Sequence, residues 1–503
     1  MSRHQSYWNA TATASSYAAL SGELEVDVAV IGGGIVGVTT ARMLKDRGLK
    51  VALVEARRVG EEVTGKSTAK VTSQHNITYT TIKRKFGEDG ARLYADANET
   101  GLRIIRELTA RHGIDCALET ASAFVFTEDE EQVSSIEEEA ALARQLGLPA
   151  SLTGDTGLPF PVRAAMRWDD QASFHPVRYV KGLAATIPGD GCHVFEGSRV
   201  IDWDPDRIAT AAGTVRARHV VMATHLPLGQ VGLFYTEAHP HMDPVIMGRV
   251  EAGRAPEGMF INAETPRRSF RVHRDDQGQS WMIFAGMNHK PGDTDAGREN
   301  MAELEAFAAE HFGVAAEYKW TNEDYGPVDQ APFVGWSSSL RSGYLVATGF
   351  NAWGITNGTA AAMLIADLIE GADNPWLKLF DATRIKPIAG AAEFAKGNAE
   401  VAAHLVGGYL SSKPKDYAAL APGQGAVLKV DGHNVAAFRD EDGRVRACSA
   451  VCPHMGCLVG WNETDRSWDC PCHGSRFALD GGVIHGPAVT ALQPVNVDEA
   501  VDA

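Results

Sequence analysis

The sequence predicts an α/β dinucleotide-binding domain of the doubly wound type, joined to an antiparallel-sheet region and followed by a small all-β unit. Three observations predict it. A glycine-rich turn joins a β-branched run to a helix near the start, short alternating apolar runs fill the middle, and cysteines and histidines crowd near the end. The chain has 503 residues with 44% hydrophobic and 22% charged, the composition of a globular protein. At about 100–200 residues per domain the length predicts two to four domains.

The first residues, Met1 to Glu23, are rich in Ser, Thr and Ala and lack the continuous apolar segment of a secretory signal. No apolar run reaches the roughly 18 residues that a membrane-spanning helix needs, so no span is expected and the chain reads as cytoplasmic. The net charge of −17, from 47 Lys and Arg against 64 Asp and Glu, disfavours nucleic acid and anionic membrane as partners. It is compatible with cationic or amine-bearing substrates.

Residues 25–31 form a β-branched strand that ends in Gly32-Gly33-Gly34, a helix-forming stretch runs to Arg47, and a second strand covers Val51 to Val54. This is the βαβ unit that opens a doubly wound sheet. Residues 88–112 and 130–146 are helical in pattern. From about 160 to 290, runs such as Phe270–His273 and Trp281–Phe284, with a turn at 275–278 after the first, predict the antiparallel sheet. Residues 343–348 return to strand character, and a glycine-rich turn at 349–358 leads to a helix ending near Gly371, completing the first domain. Residues 388–412 read as an Ala-rich amphipathic helix. Short strands with turns at Asp431-Gly432, Asp442-Gly443 and Asp480-Gly481-Gly482 fill the rest. The resulting division is an N-terminal extension (1–24), a large α/β unit with an interleaved antiparallel region (25–387), a linker helix (388–414) and a C-terminal unit (415–503).

In Gly32-x-Gly34-x-x-Gly37 the first glycine allows the tight turn, the second admits a pyrophosphate, and the third lets helix pack on strand. The helix N-terminus meets phosphate charge with free N–H groups. Glu55 ends the second strand, where a carboxylate accepts from ribose hydroxyls. The alternative is a purely structural turn, and the motif alone does not separate FAD from NAD.

The ordered set Asp27-Val-Ala-Val-Ile-Gly-Gly-Gly-Ile-Val-Gly, Phe174-His175-Pro176 with Tyr179 and Gly182-Leu183, Asp329-Gln-Ala-Pro332-Phe-Val-Gly335, and Gly349-Phe350-Asn351-Ala352-Trp353-Gly354-Ile355-Thr356 resembles the D-amino-acid-oxidase-like family of FAD enzymes. The resemblance spans roughly residues 25–385. It implies FAD in one dinucleotide domain, with an antiparallel substrate domain facing the isoalloxazine. Gly349 and Gly354 would let backbone approach the flavin, with Thr356 in the same turn. Thr64, Ser67 and Thr68 would hydrogen-bond the pyrophosphate or ring, or else cap their own loop. Some relatives attach flavin through a His in this loop or a late Cys. Here the loop reads Thr64-Gly-Lys-Ser-Thr-Ala-Lys70 and no Cys lies between 193 and 447, which implies non-covalent FAD. A second glycine-rich fingerprint after a strand is missing, which argues against a reductase fed by a pyridine nucleotide.

Five of the seven cysteines fall between Cys448 and Cys472, a clustering that points to metal rather than to a secreted disulfide framework. Cys452-Pro-His454-Met-Gly-Cys457 and Cys470-Pro-Cys472-His473-Gly-Ser475 supply two thiolates and two imidazoles. Zinc accepts such a set tetrahedrally, and a Rieske [2Fe–2S] centre uses two Cys on one iron and two His on the other. Across about 415–503, including Gly486-Pro487-Ala488, the sequence resembles Rieske domains. The resemblance implies Cys452, His454, Cys470 and His473 as ligands, and a Cys457–Cys472 disulfide between the cluster loops. It also implies a Ser475 hydroxyl donating to a cluster sulfur. The position that often carries a second donor, Tyr, is Phe477, so the potential should lie below the top of the roughly −150 to +300 mV Rieske span. Cys448 reads as a core thiol.

Other groups are weighed against structural roles. Glu237-x-His239-x-His241-x-Asp243 alternates metal-capable groups as a mononuclear iron site would, but Pro240 favours a polar strand face. Arg271 could hold a substrate carboxylate, and His75 and Trp353 could line the substrate pocket. Asn288 is read at the place where related amine oxidases set a Lys over the flavin, with Lys290 close by.

The expectation is an FAD-dependent oxidoreductase that oxidises the C–N bond of an amine or amino acid. It would pass electrons from the flavin to the Rieske cluster and on to an external carrier, quinone or O₂. The alternatives are an oxidase using O₂ with the Rieske unit as sensor or appendage, and a reductase module fed through the cluster.

Overall fold

The computed structural model describes residues 3–340, 342–384, 398–399, 401, 409 and 416–497. The chain crosses between two sheets as it runs. It lays down β1 (Gly22–Ile31), α1 (Ile35–Asp46) and β2 (Val51–Val54), and later β3 (Gly213–Met222). It then crosses to the second sheet for β4 (Ala238–Arg249) and β5 (Tyr318–Pro327), and returns with β6 (Leu345–Thr348) and α2 (Gly354–Glu370).

In the first sheet β6, β3, β1 and β2 are parallel neighbours, with β1 between β3 and β2. The last four residues of β1 and all of β2 are buried, as expected of parallel strands covered on both faces. Its core packs α1 against α2 through Val38, Ala41, Ala361 and Leu364.

The second sheet, ten strands among the described residues, is antiparallel along β5, β4, Ser280–Gly286 and Arg268–Arg274. Asp275–Gly278 makes the expected turn between the last two. This sheet also takes strands from far outside 160–290, at Lys70–Val71 and Glu119–Thr127. The helix read over 88–112 runs from Tyr79 to His112, interrupted at Gly87, whose φ of 76° is not helical. The sequence pattern registers only the stretch after that break.

Residues 3–11, within the stretch read as an N-terminal extension, pack onto the large α/β unit. Tyr7 and Trp8 are buried, and the Trp8 indole donates to the Ser67 carbonyl at 2.9 Å. The linker reading over 388–414 falls, except for residues 398, 399, 401 and 409, outside the described residues.

The C-terminal unit has a three-stranded sheet over Gly425–Val430, His433–Arg439 and Val445–Ser449. Its four-stranded sheet runs over Gly460–Asn462, Ser467–Asp469, Arg476–Phe477 and Val483–His485. Among the described residues no helix is long and apolar enough to cross a membrane.

Candidate functional site

The carboxyl ends of β1, β2 and β3 open on one cavity of about 190 Å³ that is partly open to solvent. It lies beside β1, where successive strands diverge to opposite sides, the usual ligand position in such sheets. Gly32, Gly34, Glu55, Thr64, Ser67 and Gly354 all line it. Gly32 has φ of 107°, and a Cβ there would overlap the Ala223 carbonyl, so the turn requires glycine. Gly34 begins α1 with no side-chain cap, leaving the helix N-terminus to face the cavity. Glu55 accepts from the N–H of Gly33 at 2.6 Å and of Arg57 at 2.7 Å. Burial pushes its carboxyl above the usual range against those two bonds. Thr64 accepts from the Ile35 N–H at 3.1 Å.

These features fit FAD: a helix N-terminus at the cavity for pyrophosphate, a carboxylate with lone pairs left for ribose, and open backbone at Gly354. A Cβ on Gly354 would meet nothing nearer than Phe350, at 3.7 Å.

Four residues read as cofactor-binding stand behind the cavity wall. A Cβ on Gly37 would overlap the Gly32 carbonyl, so its glycine serves helix-on-strand packing. Thr68 offers its carbonyl to Arg271 at 2.6 Å. Gly349 has φ of 76°, and a Cβ there would lie 2.7 Å from Pro327. Thr356 is buried and donates to the Thr72 carbonyl at 3.0 Å.

The substrate residues need correction. Arg271 is 1% exposed and spends its guanidinium on the carbonyls of Thr68, Val272 and Phe174 and on the Ser173 hydroxyl. It braces the sheet and offers no fork to a carboxylate. His75 is 1% exposed, with Nδ1 2.7 Å from the Tyr94 hydroxyl and Nε2 2.8 Å from the Thr72 carbonyl. Burial lowers its pKa to about 3 and keeps it neutral. Trp353 stacks on that ring at 4.6 Å and 18°, turned away from the cavity that its neighbours Ala352 and Gly354 line. Asn288 is exposed, and neither it nor Lys290 is among the lining residues.

His241 and Asp243 lie on β4, 3.8 Å apart. Across the strand pair His241 faces Asp324 and Asp243 faces Asn322, and both of those β5 residues line the cavity. Burial raises the Asp243 carboxyl. The run is a polar strand face with Pro240 inside the strand, and that face borders the cavity.

In the C-terminal unit Cys452 and His454 sit in the loop before Gly460, and Cys470 and His473 in the loop before Arg476. The disulfide Cys457–Cys472 joins the two loops. Hydrogen bonding from Cys470, against the effect of burial, brings the Cys452 thiol to about 7, with Ser475 and backbone N–H groups helping. The His454 and His473 rings lie 5.0 Å apart. The sulfurs of Cys457, Cys470 and Cys472 also lie within 4.8 Å of one another, but the disulfide removes two of them as thiolates. Two thiols and two imidazoles remain, the donor set of a [2Fe–2S] cluster of the Rieske kind. The Ser475 hydroxyl accepts from the Ala488 N–H at 3.0 Å and points its own proton toward the sulfurs. Phe477 and Cys448 are fully buried in the same core.

The cluster loops pack against β5, whose residues Asn322 and Asp324 line the cavity. The Tyr325 hydroxyl donates to the His473 carbonyl at 3.1 Å, and the Tyr235 ring lies 5.0 Å from His454 and 4.8 Å from His473. A Cβ on Gly474 would overlap Glu323, whose buried carboxyl is pushed well up by desolvation. Lys66, on the short helix Val63–Lys66 at the cavity, pairs with Asp465 at 2.8 Å, and Arg476 holds the same carboxylate at 2.7 Å. His225, Asp324, Tyr325 and His485 carry no local sequence signal, because the partners that join them lie 99 to 260 residues away, and the Lys66 partner of Asp465 lies 399 residues away.

Residues 27–368 match the family described as FAD dependent oxidoreductase, and residues 413–496 match the Rieske [2Fe-2S] domain. The Rieske 2Fe-2S iron-sulfur protein YhfW of Bacillus subtilis (strain 168) is 33% identical over 499 residues, 98% of each chain. Gamma-glutamylputrescine oxidoreductase of Escherichia coli (strain K12) is 29% identical over 241 residues, 46% of this chain and 56% of its own. The crystal structure of glycine oxidase from Geobacillus kaustophilus has a TM-score of 0.60 at 18% identity, covering 72% of this chain and all of that one (100%), a likeness of fold.

Proposed function

Because the chain belongs to the family of FAD-dependent oxidoreductases and carries a Rieske [2Fe-2S] domain, we propose that it oxidises the C–N bond of an amine or amino acid and sends the electrons through the cluster to an external acceptor. The observation that carries the reading is the shared wall. Asp324 lines the flavin cavity, and the next residue, Tyr325, hydrogen-bonds the backbone of a cluster ligand.

Gly32, Gly34, Glu55, Thr64, Ser67 and Gly354 would hold FAD, and Cys452, His454, Cys470 and His473 would hold the cluster. When bound, the flavin accepts hydride equivalents from a C–H bond next to nitrogen, and the cluster takes single electrons. The residues of the chain bind and orient. Asp324 and, across the strand pair, Asp243 put negative charge where a substrate ammonium would sit. The Asp243 carboxyl, raised by burial, is suited to take the ammonium proton, because hydride leaves readily only from the neutral amine. Ile484, His485 and Gly486 of the C-terminal domain form part of the wall of the cavity. The E. coli relative's gamma-glutamylputrescine supports an amine class, as does the engagement of Arg271 elsewhere.

The test is an anaerobic titration of purified protein with a panel of amines and amino acids, following flavin absorption and the reduced-cluster EPR signal. A substrate that bleaches the flavin while the EPR signal grows is the expected result. Bleaching with a cluster that stays oxidised would favour an O₂-using oxidase, and no bleaching by any amine would overturn the substrate class.

A further inference from the structure

One wall of the flavin cavity comes from the Rieske domain rather than from the nucleotide domain. Ile484, His485 and Gly486, at the end of the last strand of the four-stranded sheet, line the same cavity as Gly32, Thr64 and Gly354. The segment is tied on both sides. Arg199 donates to the Val483 carbonyl at 2.8 Å, and the Gly229 N–H donates to the Pro487 carbonyl at 3.1 Å.

Between these ties His485 meets a partner on the nucleotide domain. Its Nε2 lies 3.2 Å from Nδ1 of His225, and Nε2 of His225 lies 2.9 Å from Asp324. Asp324 is itself anchored by the N–H groups of Tyr325, at 2.7 Å, and of Ala352. His225 has φ of 68°, an uncommon conformation for any residue with a side chain, and its two ring bonds hold it there.

The order of donors follows. In the tautomer that carries its proton on Nε2 toward the carboxylate, His225 accepts at Nδ1 and His485 donates from Nε2. The second nitrogen of His485, Nδ1, is left as an acceptor. Burial and the adjoining His225 hold the His485 pKa well below the usual value, in keeping with a neutral ring.

We propose that the Rieske domain supplies part of the flavin site: His485, held by His225 and Asp324, closes the cavity, so that FAD is bound between the two domains and leaves only when this segment lets go. The inference rests on the flavin occupying this cavity. Binding of cofactor and docking of the cluster domain are then one event, and the cluster meets the flavin cavity in a fixed geometry.

The experiment follows FAD release from the purified holoenzyme as growth of free-flavin fluorescence after dilution. His485→Ala removes the wall and its hydrogen bond, and release should quicken about tenfold or more. His485→Gln keeps a polar side chain of similar reach and should restore much of the retention, which a purely apolar filling role would not. The cluster absorption and the thermal unfolding midpoint are read on each variant, and His225→Asn and Ile484→Ala serve where His485→Ala does not fold. Wild-type release rates in every variant that keeps its cluster and fold would overturn the proposal. A wild-type protein that carries no FAD would overturn instead the placement of the flavin.

Discussion

The hydroxyl of Tyr325 donates to the carbonyl of His473 at 3.1 Å, so the strand whose Asp324 lines the cavity touches the loop that would hold the cluster. Both partners are buried. Tyr325→Phe leaves a buried carbonyl without its donor, at a cost of about 1–3 kcal/mol in the contact between the domains. In anaerobic stopped-flow the cluster signal of that variant should lag behind flavin bleaching. Signals that still rise together would show that this contact is not the one that sets the handover.

Asp465 anchors the other side of the same interface. Its carboxylate pairs with Lys66 at 2.8 Å and Arg476 at 2.7 Å, and all three are largely buried. Asp465→Asn takes the shared carboxylate from two buried cations but leaves Arg476 with Asp469 at 3.1 Å and Lys66 with Glu62 at 3.5 Å, and should destabilise the protein by about 1–3 kcal/mol. Chemical denaturation of the holoenzyme measures it. A loss below about 1 kcal/mol would class the network with surface pairs.

The same network sets an acid limit. Burial pushes the Glu62 carboxyl up, but Lys66, Arg57 and Arg476 outweigh it and hold the group at about 2, below its usual 4.5. Asp465 is lowered as well, by Lys66 and Arg476 against the burial penalty. A depressed carboxylate contributes stability that is complete above its unfolded pKa and is lost as pH falls through the folded one. Stability should therefore fall between about pH 4.5 and pH 2, and an acid titration of unfolding followed by tryptophan fluorescence checks the window.

Ser475 and Phe477 make opposite predictions for the cluster potential. Removing a hydrogen bond to a charged acceptor, worth about 1.5–3 kcal/mol, corresponds to roughly 60–130 mV for one electron. Ser475→Ala should lower the potential by about that much, since the hydroxyl no longer stabilises the reduced cluster. Phe477→Tyr adds a donor in the same buried core and should raise it. Redox titration monitored by EPR gives both values, and a potential unmoved by Ser475→Ala would remove that hydroxyl from the cluster's surroundings.

Asp243→Asn removes a negative charge from the strand face that borders the cavity. For cationic amine substrates kcat/KM should fall about tenfold or more, and the lower limb of the pH profile should move. An unchanged profile would place Asp243 outside the amine-binding wall.

Local spacing in the sequence is enough to specify the glycine-rich turn at Gly32–Gly37, the carboxylate of Glu55 that ends the next strand, and the paired Cys and His of the two cluster loops. Each of these is a short-range arrangement, in which the residues that cooperate lie within about one βαβ unit or one loop. The alternation over 268–286 likewise predicts a hairpin with its turn at 275–278.

What packs against a face is another matter. Arg271 on a strand reads as a substrate clamp or as a solvated strand residue, and the structure makes it a buried brace instead. Only the sheet edge that delivers the carbonyls of Thr68 and Phe174 decides for the brace. His75 follows the flavin loop in sequence, yet Tyr94 and Trp353 enclose it in the core. The junction itself, His225 with Asp324 and His485, joins three segments 99 and 260 residues apart. Periodicity tells which side of a strand is covered, but the identity of the cover depends on how distant elements pack. For this chain the cofactor motifs were therefore written locally, and the meeting of flavin cavity and cluster was decided by tertiary structure alone.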